Sequence, residues 1–474
     1  MRHGPAIMIL AALSLGFSSM AYGIDPPEKM WDASYEWIRR FNDIRLYSDS
    51  LLVAAITPNV QAECMYMLNL EGNIIWQQGL EDPVSMNAVC QGPSDTFVFA
   101  GCSGWVLDDP WDTALLLVKT DIDGEIEWQR IYDVSEQWEE GYDVAALPDG
   151  GYAVCGRVYG EGLNLGQAWI LRTDANGDTL WTDVWGTHTV NYAIGVEYDS
   201  ENDWLAVLAY GRSDSLQVTS PHMLYYTLDG EYLLGTSYPE LPGENPKDLC
   251  RFSDGDYGFV SRYGGTPATV SRTDYLGELI WSETIGVGFG YGDPYGMDRT
   301  VLDDGCMVTG QAVEGPDRGN LAEWARFIRY DGEGNEMWNI AEADDTDFRA
   351  ALQLPQGGYM AVGSKYGDGY LVRYAPETGI EGPVSPGGSG LLRPVTPNPS
   401  SSMFHVSLDL PEAMDVRLEV YDTAGRRVGL LADGLLGAGE QSFSWDASGL
   451  SSGCYLARLS GAGVCETRRC VLLR

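Results

Sequence analysis

Flat aromatic rings set beside carboxylates recur at a few points along this chain, and that pairing can hold a sugar. A pyranose stacks its apolar face on an aromatic side chain while its hydroxyls donate to a carboxylate. Trp105, Asp108, Asp109 and Trp111 form one such group, and Trp138, Glu139 and Tyr142 form a second. Tyr159, Tyr291 and Tyr295 extend the set. The same side chains suit a basic peptide or a protein surface equally well. Catalytic signatures are scarce by comparison. His188, His222 and His405 are the histidines beyond residue 23, and they are scattered. The sequence has no His-Glu-x-x-His helix or phosphate loop. Carboxylate pairs able to cleave glycosidic bonds are not singled out by spacing, so no catalytic pair is assigned.

The elements that must position these residues are read from two alternating patterns. The first is a polar turn ending in glycine, with tryptophan four residues later. Gly72 leads to Trp76, Gly124 to Trp128, Gly177 to Trp181, Gly277 to Trp281 and Gly334 to Trp338, while Gly230 leads to Leu234 and Gly379 to no aromatic. Successive glycines lie 52, 53, 53, 47, 57 and 45 residues apart, a period that fits propeller blades. The second pattern is a turn followed by an apolar strand, as in Pro148-Asp149-Gly150 before Gly151–Gly156. Its copies run through Leu51–Ala55, Phe97–Gly101, Trp204–Leu208, Tyr257–Ser261, Cys306–Gly310 and Tyr359–Gly363. Seven copies of each pattern predict seven four-stranded blades with two tight hairpins apiece. The last copy lacks its tryptophan strand, and Met30-Trp31-Asp32 supplies a matching one. Placed beside the final three strands, that segment closes the ring and leaves no open edge. Packing between blades is the stronger reading of the repeated tryptophans. Asp174–Asp178 has part of a calcium-loop pattern without its twelve-residue spacing or terminal Glu, and a hairpin turn accounts for it. No metal or cofactor is expected.

A four-stranded blade puts its two tight turns on one face of the ring. The longer connections then fall on the other face, and the aromatic–carboxylate groups lie in them.

The 474 residues include 58 glycines and 15 tryptophans, which fits a turn-rich β protein. Residues 24–390 carry 20 Lys and Arg against 60 Asp and Glu, whereas residues 391–474 are nearly balanced at 8 and 9. A net of −40 over the first segment argues against nucleic acid and anionic membrane as partners. At the N-terminus, Arg2 and His3 precede the apolar run Ile7–Leu15, and Ala21-Tyr22-Gly23 offers small residues before Ile24. This is the plan of a cleaved signal peptide over residues 1–23. The run is short for a membrane span, and no later stretch is longer. Nine cysteines leave at least one unpaired within the chain. Centred on Ala462, the final hairpin would set Cys454 opposite Cys470, a candidate disulfide.

After a Pro/Gly/Ser-rich linker at 381–390 the sequence changes character. Pro397-Asn398-Pro399 opens a region with Tyr421-Asp422, Gly425-Arg426, Trp445 and Gly453-Cys454-Tyr455. Alternation predicts about seven short strands here, an immunoglobulin-like β-sandwich. Together these residues resemble the type A sorting domain of the bacterial type IX secretion system, over residues 391–474. The resemblance implies cargo that crosses the outer membrane after general export, with the type IX machinery as partner. The residues ahead of it resemble uncharacterised extracellular propellers, which implies a fold and no activity.

The fold expected is therefore all-β: a seven-bladed β-propeller over residues 24–380, then an immunoglobulin-like sandwich. The function expected is a secreted or cell-surface binding or adhesion protein with a carbohydrate or protein ligand. An extracellular hydrolase using carboxylates on the variable-loop face, or a purely structural surface protein, stands as the alternative.

Overall fold

A computed structural model describes residues 26–377 and 402–472, with some loop positions set aside (57–62, 81–83, 105–112, 135–137, 160–165, 187–190, 213–218, 240, 242–244, 263–267, 286–292, 302, 315–321, 343–344, 356, 411–412, 423–426, 451–452 and 462–463). Every regular element among the described residues is a strand. The chain divides into two units, Met1–Thr378 and Gly379–Arg474. The 381–390 linker lies outside the described residues.

Unit 1 is built from antiparallel four-stranded sheets, each running from an inner strand outward. Blade 1 comprises Arg40–Tyr47, Ser50–Ile56, Glu63–Asn69 and Ile74–Gly79. The inner strands of blades 2 to 7 are Val84–Gln91, Glu139–Ala146, Tyr192–Asp199, Pro246–Arg251, Pro294–Arg299 and Thr346–Gln353. Each inner strand touches the next, and the last touches the first, so the blades form a closed ring. A single pair, Ile56 with Ser85, links blades 1 and 2 into one sheet. The fourth strand of blade 7 is Lys29–Tyr35, which pairs antiparallel with Asp368–Tyr374. Seven blades are thus present, and the N-terminal segment completes the last one.

The core lies between blades. Seven apolar clusters each join two neighbouring sheets, for example Phe41, Val53 and Leu68 of blade 1 with Leu352, Met360 and Leu371 of blade 7. Second strands such as Ser50–Ile56 are buried on both faces, hence their unbroken apolar sequences. Outer strands such as Thr179–Trp185 alternate exposed and half-buried positions.

The repeated tryptophans pack between blades, as expected. Trp31, Trp76, Trp128, Trp181 and Trp281 lie over Gly72, Gly124, Gly177, Gly230 and Gly334 of the following blade's turn, where a Cβ would collide with the indole. The indole N–H groups of Trp76, Trp181 and Trp281 donate to the turn carbonyls of Ile122, Leu228 and Gly332 at 2.8–3.1 Å. Trp338 instead donates to Glu377 at 2.6 Å, because blade 7 has no such turn in sequence. The Asp174 loop is a hairpin turn: its carboxylate accepts the backbone N–H groups of Asn176 and Asp178 at 2.8 and 2.9 Å. Asn69, Asp121, Asp274 and Asp331 do the same in their blades.

Unit 2 has two sheets, Met403–Leu410 with Gly439–Asp446, and Arg427–Leu436, Met414–Asp422, Gly453–Gly461 and Val464–Leu472 in that order. Both contribute to one core containing Phe404, Val406, Val416, Leu418, Trp445 and Tyr455, which makes the unit a sandwich of six described strands, against about seven expected. The register of the last hairpin corrects the sequence reading. Cys454 pairs with Val471, and Cys470 with Tyr455. The turn spans two residues between Gly461 and Val464 rather than centring on Ala462, and a one-residue slip takes positions 454 and 470 off a common rung. The disulfide proposed on that pairing loses its geometric basis.

Candidate functional site

All seven inner strands carry a β-bulge at the same place, near the end where the long connections lie. The extra residues are Asn42, Asn87, Tyr142, Ile194, Lys247, Tyr295 and Arg349. Each is partly exposed while its flanking residues are mostly buried, so the bulge turns one side chain per blade toward the central channel. Small residues stand across from the residue before each bulge: Ala55, Gly101, Gly156, Ala209, Ser261, Gly310 and Gly363. In blades 1, 3 and 5 an aspartate follows the bulge. Asp43, Asp143 and Asp248 accept the backbone N–H groups of Val89, Val196 and Met297 in the next blade at 2.8–2.9 Å. These clasps lock the inner strands in pairs.

The mouth so formed has two arcs. On the side of blades 3 and 4 it is aromatic. Tyr142 lies edge-on to Tyr192 with centroids 6.4 Å apart, and Tyr192 lies against Tyr210 at 4.9 Å. Trp138 and Tyr159 stack at 5.8 Å, with the Arg157 guanidinium 4.4 Å from the first ring centroid and 5.2 Å from the second. On the side of blades 5 to 7 and 1 it is cationic, with Lys247, Arg349 over the Tyr295 ring at 3.4 Å, and Arg40. Asn42 and Asn87 join the arcs through bonds of 2.8 Å to the carbonyls of Met86 and Gly141.

Deeper in the channel, Arg45 donates to Asp43 at 2.8 Å within reach of the charges of Asp298, Asp143 and Asp248. Its side chain is 44% exposed although these charges surround it, which marks an open channel around it. Burial raises Asp143 to about 6 and Glu197 to about 7, with Arg45 opposing both shifts and neighbouring carboxylates adding to them. Folded pKa values above the unfolded ones mean that the folded state binds these protons more tightly. Their stabilisation is complete below the ordinary carboxylate range and is lost as pH rises through about 6 to 7. The propeller's melting temperature should therefore rise from pH 8 to pH 5, with each group worth on the order of 1–2 kcal/mol after allowing for partial exposure. Glu197→Gln should flatten that rise in a calorimetric series; an unaltered slope would remove Glu197 from the account.

Of the residues singled out from sequence, the structure brings Trp138 and Tyr159 together and places Tyr142 and Tyr295 in the bulge ring. Glu139 is fully buried behind the mouth, its backbone bonded to Thr113, so it offers no carboxylate to the surface. Trp105, Asp108, Asp109, Trp111 and Tyr291 lie outside the described residues. Asn42, Lys247, Arg349 and Arg40 were missed because nothing in their own sequence marks them; the small residue on the adjacent strand was the available signal. In unit 2, Trp445 stacks on Phe404 at 5.2 Å and meets Tyr455 edge-on at 5.5 Å, so these motif residues build the sandwich core. Tyr421, Asp422 and Gly453 lie on its strands, and Pro397, Asn398, Pro399, Gly425 and Arg426 lie outside the described residues.

Residues 394–472 match the family of secretion system C-terminal sorting domains. This type IX tail marks the chain as cargo for export to the cell surface or beyond. No curated protein matches the chain. Among solved structures, it is similar to a protein of unknown function from Bacteroides caccae at 14% identity, over 62% of this chain and 93% of that one, with a TM-score of 0.39. A polysaccharide lyase, an ulvan lyase bound to -[GlcA(1-4)Rha3S]-, is similar at 9% identity over 73% and 96% of the two chains, with a TM-score of 0.48. At such scores neither likeness bears on function. No helix among the described residues is long and apolar enough to cross a membrane.

Proposed function

We propose that this chain loses residues 1–23 on export, engages the type IX machinery through its sandwich, and acts outside the cell as a propeller that binds a glycan or protein. The binding surface is the channel mouth on the long-loop face. The observation that carries this reading is the ring of bulges, which gives up a regular ladder in every blade to turn seven side chains, two of them tyrosines, toward one opening. Tyr142, Tyr192 and Tyr210 form a run of aromatic faces beside it, suited to stacking on a sugar or gripping a side chain. The test is a glycan and peptide array probed with residues 24–378, alongside a Tyr142→Ala/Tyr295→Ala variant of matched melting temperature. Selective binding that falls at least tenfold in the variant is expected. Binding that is unaffected by the variant would move the site elsewhere.

A further inference from the structure

Resting on the mouth as the binding site, we infer that its ligand is an acidic polysaccharide, held by a carboxylate or sulfate group on the cationic arc and a sugar ring on the tyrosine arc.

Charge pairing elsewhere in the propeller provides the contrast. Arginines near the tight-turn face are matched with carboxylates: Arg251 with Asp199 at 2.9 Å, Arg272 with Asp256 at 3.0 Å and Asp304 at 2.9 Å, and Arg329 with Glu377 at 3.0 Å. At the mouth, Arg349 follows this rule through Asp347 at 2.7 Å. Arg40 and Lys247 break it. Arg40 is bonded to the neutral Asn42 at 2.9 Å, and no carboxylate among the described residues lies within ion-pair distance of it or of Lys247. In a segment with three acids to every base, two unmatched cations at one opening are a local reversal of the prevailing sign.

Both lie within reach of the Arg349 charge. Arg40 feels Arg349 and the opposing charge of Asp347, and Lys247 feels Arg349 and Arg262 with the opposing charge of Asp293. Burial is the largest cause that pulls Arg40 down to about 10 and Lys247 below its ordinary value; the like charges add to it, while Asp347 opposes it at Arg40 and Asp293 at Lys247. Four cations, Arg40, Arg349, Lys247 and Arg262, thus stand against the two carboxylates Asp347 and Asp293, and an anion placed among them relieves that excess. Planar guanidinium groups offer paired donors to a carboxylate or sulfate, and the ammonium offers a point charge. Across the opening stand Tyr142 and Tyr192, flat surfaces of the kind that hold a pyranose. The two requirements, an anion and a ring, meet in a uronic acid or a sulfated sugar.

The bulk of the propeller repels a polyanion, but that repulsion is screened beyond about 8 Å at physiological salt, so the mouth acts at short range. Binding should therefore survive 0.15 M salt and weaken in high salt.

The experiment is calorimetry of residues 24–378 with polygalacturonate, dextran sulfate and neutral dextran, on the parent and on Lys247→Gln and Arg40→Gln variants. Melting temperatures serve as the fold control. The expected result is binding to one or both acidic polymers, no binding to dextran, and a loss of tenfold or more in each variant. Which acidic polymer binds distinguishes carboxylate from sulfate. Equal binding of dextran, or acidic binding that ignores both substitutions, would overturn this inference and leave the mouth as a neutral-glycan or protein site. Binding to no polymer and no array ligand by a folded sample would overturn this inference together with the binding reading itself.

Discussion

Gly156→Ala should destabilise the propeller by more than about 3 kcal/mol, through a collision that no side-chain adjustment can relieve. A Cβ at this position would overlap the carbonyl of Glu140 and crowd Gly141, both backbone atoms of the adjacent inner strand. Gly156 pairs with Gly141, the residue just before the bulge at Tyr142. Gly101 and Gly363 face the same obstruction from Ser85 and Asp347. Blades 1 and 4 carry Ala55 and Ala209 at this position, so Ala209→Gly provides a matched control with an expected cost of about 1 kcal/mol. Urea unfolding reads both, as a lowered midpoint at constant slope. If Gly156→Ala unfolds at the parental midpoint, the close approach of these strands is not as described.

Removing the closing strand should have a larger effect still. A chain beginning at Ile38 lacks Lys29–Tyr35 and leaves the edge of Asp368–Tyr374 bare. More than one ladder is lost. The Trp31 indole covers Gly72 in blade 1, the Tyr35 hydroxyl donates to the Gly72 carbonyl at 2.5 Å, and Tyr370 donates to Asp32 at 2.8 Å. Lys29 reaches Glu342 of blade 6 at 2.9 Å, so this one strand ties three blades together. We expect the shortened chain to lose cooperative unfolding and to aggregate through the exposed edge. Adding a peptide of residues 26–37 should restore a sharp melting transition. A monomeric, cooperatively melting shortened chain would show that closure contributes little.

These two predictions draw on different degrees of legibility. The closing strand was readable because it completes a count: Trp31 supplies the missing tryptophan of the last repeat. Blade boundaries were readable for a related reason. Five turn glycines take positive φ under the preceding blade's indole, so a glycine and the tryptophan four residues on report the contacts of one blade with its two neighbours. The mouth was harder. Bulge positions hold Asn, Tyr, Ile, Lys and Arg, because the backbone there demands no residue type and the side chain meets no core. Tyr142 and Tyr295 were found as aromatics in variable segments, while Arg40 and Lys247 looked like any surface cation. Glu139 was misjudged because a neighbour of exposed residues can be buried when a strand begins there. The hairpin register failed on a single residue of turn length, which alternation in the flanking strands does not determine.

The bulge ring also separates two tasks that strands ordinarily combine. In a regular strand every side chain belongs to one packed face or the other, so a change made for binding disturbs the core. Here one position per blade is released from that duty while the clasping aspartates keep the backbone fixed around it. Asn42 and Asn87 still bond carbonyls of the next blade, but the other five positions amount to an interchangeable panel on a constant frame. On the binding reading proposed above, an engineer can rewrite those five positions to change the ligand without repacking a single blade.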